Sequence, residues 1–220
     1  MKKLLTAMGA TGVIFAALAT NATADDGMRK YEVTVTNLTR GTLFTPVFAA
    51  THRINVSLYQ LGQPASDELA ALAEGGDTAP LSAKVGATKH ATTKTGPVVL
   101  AGKTEMFSIT ARKDANRISV ASMMVPTNDG FIAVNNMALP MGKGQMVTYY
   151  SNGHDAGSEP NDELCISIPG PQCGGAGGSP GVGGEGYVHI HAGIHGIGNL
   201  NAADYDWRNP VARITVRRTQ

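Results

Sequence analysis

Tyr31-Glu32-Val33-Thr34-Val35-Thr36, near the start of the chain, alternates apolar with polar side chains, and Ala212-Arg213-Ile214-Thr215-Val216-Arg217, near its end, does the same. A period of two puts every second residue on one face of an extended strand, so both segments read as strands with one face buried and one solvated. Between them lie further strand-like runs: Leu43 to Ala49, Asn55 to Leu61, Pro97 to Leu100, Glu105 to Ala111, Arg117 to Val125, Phe131 to Asn135, Gln145 to Tyr150 and Tyr187 to His191. Short strands punctuated by Gly, Pro and Asn turns predict an all-β fold, an antiparallel β-sandwich. One helix stands out, from Ser66 to Ala73. Ser66 can cap it, Asp67 and Glu68 suit its positive end, Leu69 and Leu72 fall three apart, and Gly75-Gly76 stops it. Such a helix is expected to cover one edge of the sandwich.

The N-terminus reads as an address. Lys2 and Lys3 precede an apolar run from Leu4 to Leu18, and Ala22-Thr23-Ala24 supplies small residues for cleavage, so residues 1–24 are expected to be a signal peptide and residues 25–220 a single domain. Later in the chain no run of eighteen apolar residues offers a membrane span. Two of the 18 basic residues lie in the leader, leaving 16 against 17 acidic ones. A net charge near −1 without a basic stripe argues against a nucleic-acid partner. Cys165 and Cys173 are the only cysteines, and in an exported protein an isolated pair is expected to form a disulfide. Residues 174–186, mostly glycine, read as a mobile surface loop pinned at its near end by that bond.

Two short loops concentrate carboxylates: Thr127-Asn128-Asp129-Gly130-Phe131 and His154-Asp155-Ala156-Gly157-Ser158-Glu159. A hard cation wants six to eight oxygen ligands, which Asp, Asn and exposed backbone carbonyls supply, so the pair suggests calcium. The same residues also make ordinary turns, which leaves a structural role without metal open. His189-Ile190-His191 places two imidazoles on one face of a strand, with His195 close behind. A closed zinc or copper site would need more ligands, to be drawn from His52, His90 and His154. The chain shows no nucleophile elbow and no phosphate-cradling loop, and Glu159, Asp162 and Glu163 are too clustered to read as a tuned acid and base. It is not expected to be an enzyme.

Taken in order, these pieces resemble the spondin N-terminal domain family. The similarity runs from Tyr31–Thr39 through Leu72-Ala73-Glu74-Gly75-Gly76 and Ser122–Phe131 to Asp155–Glu159, and ends with Ala212–Val216. It implies a sandwich like that of C2 domains, with calcium held at one end by an acidic residue from an earlier strand plus one Asp from each loop. The loop ligands carry over to Asp129 and Asp155. For the third, the resemblance points to Glu105, which opens the strand leading toward the first loop, with Glu159 as the alternative. The family's animal members are extracellular adhesion modules, which implies an exported binding module whose ligand is an envelope, matrix or carbohydrate component. The chain departs from the pattern in its glycine-rich insertion and in His154, where a Tyr is usual. A histidine beside the cation would weaken calcium binding below about pH 6, near the free imidazole pKa. The strand Gly186–His191 also resembles the copper-binding strand of the copper/zinc superoxide dismutases, and a metalloenzyme of that type is the alternative reading.

Overall fold

The alternation at the two ends brings them side by side. In a computed structural model of the protein, which describes residues 27–178 and 183–220, β1 (Met28–Asn37) pairs antiparallel with β11 (Ala212–Arg218), Val33 against Val216 and Val35 against Ile214. Strands β5 (Thr104–Arg112) and β8 (Met146–Ser151) flank this pair, completing a four-stranded antiparallel sheet in the order β5-β1-β11-β8. The expected leader, residues 1–24, lies outside the described residues.

The second sheet has seven strands. β10 (His189–Ile190), β9 (Gly153–Asp155), β7 (Gly130–Ala138), β6 (Arg117–Val125), β3 (Phe48–His52) and β4 (Thr92–Thr95) follow one another, and β2 (Leu43–Phe44) pairs with β6 outside that path. The first core lies between the sheets, where Tyr31, Val33, Val35, Ile214 and Val216 meet Ile118, Val120, Met124, Ile132 and Val134. Each such side chain contributes about 1.5–3 kcal/mol on burial. The expected β-sandwich is therefore present.

A third layer was not anticipated. From Ile118 to Val125 β6 is buried without alternation, because its outer face is covered as well. Two helices supply the cover: α1 (Asp67–Gly75) and α2 (Ala79–Gly86) place Leu69, Leu72, Leu81 and Val85 on Phe48, Ala121, Phe131 and Ala133. The Ser66 helix is thus correctly located but lies over a sheet face rather than an edge. Ser66 makes no side-chain cap; its carbonyl accepts the first helical N–H groups, from Leu69 and Ala70. Gly76, left-handed at φ 68°, closes α1 as its sequence implied. A further short helix, α3 (Ala202–Tyr205), precedes β11.

Some strand boundaries differ from expectation. Residues 55–61 form no strand. Asn135 holds them instead, accepting the Leu58 N–H and donating to the Tyr59 carbonyl, while Leu58 is buried in the helix layer. Pro97–Leu100 reduces to an isolated bridge between Val99 and Phe44. Cys165 and Cys173 are disulfide-bonded. The glycine-rich stretch is less free than its composition implies: Gly175 and Ala176 donate to Ile168 and Ile166, and Gly184 and Gly186 donate to Ser158 and Gly157. Residues 179–182 of it lie outside the described residues.

Candidate metal centre

Strand pairing builds the site. β7 and β9 run antiparallel with Gly130 opposite Asp155, and Ala156 N–H donates to the Asp129 carbonyl at 3.2 Å, so the two acidic loops emerge together at one end of the seven-stranded sheet. The first loop is shaped by Thr127, whose hydroxyl donates to the Met124 carbonyl and accepts the Gly130 N–H. Asn128 ties it to the next connection by donating to Asp162 and accepting the Glu163 N–H.

Both aspartates are fully buried. Asp129 Oδ2 accepts the backbone N–H groups of Ser158 (2.7 Å) and Glu159 (3.0 Å), whereas its Oδ1 is buried with no hydrogen-bond partner among the described residues. Asp155 Oδ1 accepts Gly157 N–H at 2.8 Å, and its Oδ2 accepts Asn161 Nδ2 at 2.7 Å. Burial, reinforced by the neighbouring Asp155, pushes Asp129 up to about 6 despite those amide donors. Burial also raises Asp155, against the opposing bonds from Asn161 and Gly157. Two carboxylates that repel each other in a dry place are a configuration that a divalent cation relieves.

Around them the structure gathers Glu159 and the histidines of the HxH strand, and adds Glu185, which the sequence did not single out. Glu159 is buried beside Asp129. His189 Nε2 stands 3.4 Å from Asp155 Oδ1 and 3.7 Å from Glu185 Oε2, and suitable ligand atoms of Asp155, Glu185 and His189 all lie within 4.8 Å of one another. Buried His191 approaches Asp155 from the other side, Nε2 to Oδ2 at 3.9 Å. Burial drives the His191 pKa down to about 4. For His189 burial acts in the same direction, but the Ile190 carbonyl and the two carboxylates outweigh it, and the ring is left raised.

Glu105 does not join the aspartates. It is exposed on β5 in the four-stranded sheet, paired with Val35, whereas Asp155 lies on β9 of the other sheet and Asp129 in the loop that leads into β7; Glu159, the alternative, donates its backbone N–H to Asp129. His154, expected beside the cation, packs instead against Tyr59 and Phe131. Its Nε2 lies 3.1 Å from the Tyr59 hydroxyl, its ring stacks on Phe131, and burial holds its pKa down at about 4, so it does not charge near pH 6. The other imidazoles are engaged elsewhere, His52 with Ser119 and His90 near Asp114.

The sequence model described as Spondin_N matches residues 33–159, which span β1 to the second acidic loop. The chain belongs to the spondin N-terminal domain family. No curated protein matches it. The family is one of extracellular β-domains, and the Cys165–Cys173 disulfide agrees with an oxidising compartment. Among the described residues no helix is long and apolar enough to cross a membrane. Glu185 and both histidines of the HxH strand lie beyond the span matched to the spondin family; the histidines show in the sequence as a strand motif, whereas Glu185 carries no such signal.

Proposed function

We propose that this spondin-family domain is an exported calcium-binding module, in which the ion joins the two acidic loops and stiffens a surface used for adhesion or ligand binding. The observation that carries the reading is Asp129: a fully buried carboxylate with one oxygen lacking a hydrogen bond among the described residues, held against a second buried carboxylate at the same pole. Asp129 and Asp155 are the proposed ligands from the two loops, and Glu159 replaces Glu105 as the third carboxylate. Calcium takes six to eight oxygens, so the remaining ligands of such a site are backbone carbonyls of the two loops and water. The role is structural, with no catalytic residue implied, and the partner is an envelope, matrix or carbohydrate ligand.

Calcium titration of chelated protein, read by calorimetry and by thermal melting, tests this. Free calcium at a hundred times its Kd adds about 2.7 kcal/mol of stability. Asp129→Asn is expected to abolish the calcium-dependent rise in Tm while leaving the chelated protein as stable as wild type or more so, because the amide oxygen still accepts the Ser158 and Glu159 N–H groups and a buried charge is gone. Equal calcium affinity in wild type and Asp129→Asn would sink the reading.

A further inference from the structure

The histidine side of the pole has a chemistry that calcium does not use. His189 Nδ1 lies 3.0 Å from the Ile190 carbonyl, an arrangement that places the ring proton on Nδ1 and leaves the Nε2 lone pair available. That Nε2 is buried and makes no hydrogen bond among the described residues. Its distances to Asp155 and Glu185, 3.4 and 3.7 Å, are long for hydrogen bonds but close to the spacing of two ligands on one ion. Bonds of about 2.0–2.2 Å in a tetrahedron separate neighbouring ligand atoms by about 3.3–3.6 Å. Asn161 Nδ2 donates to Asp155 Oδ2 at 2.7 Å and to Glu185 Oε1 at 3.2 Å, orienting both carboxylates as an outer partner of ligands does. A second buried nitrogen is aimed at the group: His191, with only 2 % of its side chain exposed, has no hydrogen bond at Nε2 among the described residues. Its Nδ1 accepts Gly193 N–H, so Nε2 presents an N–H, suited to a metal-bound water or to Asp155. Glu185 and His189 keep side-chain exposures of 37 % and 25 %, leaving the group open to solvent.

We propose that Asp155, Glu185 and His189 bind a zinc-class divalent ion, with water in the fourth position. Two carboxylates and one neutral imidazole balance a dication, and the nitrogen selects zinc over calcium, which takes oxygen. The proposal goes beyond the calcium reading and shares only Asp155 with it.

The test titrates metal-free protein with Zn2+ by calorimetry against a competing chelator, and with Co2+ while following absorbance and the fluorescence of Trp207. Trp207 is the only tryptophan, and its ring lies 5.0 Å from that of His191, so a paramagnetic ion at this site quenches it. One Zn2+ per chain is expected, with Glu185→Gln and His189→Gln each weakening zinc at least tenfold and removing the Co2+ quench. Both variants keep calcium affinity and the apo Tm, which shows that they fold. Asp129→Asn is expected to lose calcium and keep zinc. Zinc affinity unchanged in both Glu185→Gln and His189→Gln, or no stoichiometric zinc in wild type, overturns the proposal whatever calcium does. Unchanged calcium binding in Asp129→Asn overturns only the calcium reading.

Discussion

His154 and Asp155 are neighbours in sequence and face opposite sides of β9, and that alternation decides what each can do. His154 stacks on Phe131 under the helix layer, where its charged form is unwelcome, so its pKa falls to about 4. Unfolding releases the ring to its ordinary value near 6.5. Between those values the unfolded chain binds the extra proton, so this contribution is complete above pH 6.5 and is lost as pH falls toward 4, by about 3 kcal/mol in all. His154→Gln is therefore expected to flatten the stability profile between pH 6.5 and 4 by up to one proton, measured by urea unfolding across that range. Gly157 shows a different residue-scale constraint. Its φ is +66°, and a Cβ there would sit 2.3 Å from the Tyr187 carbonyl oxygen. Gly157→Ala combines left-handed strain with that close approach and is expected to cost about 2 kcal/mol or more in denaturant unfolding.

At the scale of elements, α1 and α2 explain why β6 reads as a continuous apolar run: a strand covered on both faces has no solvent side to alternate toward. Leu72 is fully buried against that face, so Leu72→Ala is expected to lower stability by about 2–5 kcal/mol in urea titration, by lost transfer energy and the cavity left behind. Long, regular elements were legible, β1, β5, β6, β7 and β11 among them. Several short ones were not. Thr92–Thr95 and Gly153–Asp155 carry too few residues to show a period, and α2 is announced by little more than Pro80 at its start and Leu81 with Val85 four apart. Residues 55–61 failed in the opposite sense, their apolar pattern belonging to a connection held by Asn135 rather than by a neighbouring strand.

For the whole molecule, the Cys165–Cys173 bond closes a short loop between the second acidic connection and the glycine-rich segment. Chain entropy assigns such a loop about 2.5 kcal/mol, so replacing both cysteines with serine is expected to lower Tm by that equivalent, read by calorimetry in chelated protein. The sequence by itself determined the sheet-forming termini, the all-β class, the disulfide and the two acidic loops, because each is written in local patterns: period two, turn chemistry, an isolated cysteine pair, carboxylates beside turn glycines. Only the tertiary structure decided which groups share a place. It left Glu105 exposed on the other sheet, turned His154 toward Phe131, and brought Glu159, Glu185 and His189 to the aspartates. Pairing register and layer order set those proximities, and both arise from contacts between residues far apart in the chain, which no local pattern encodes.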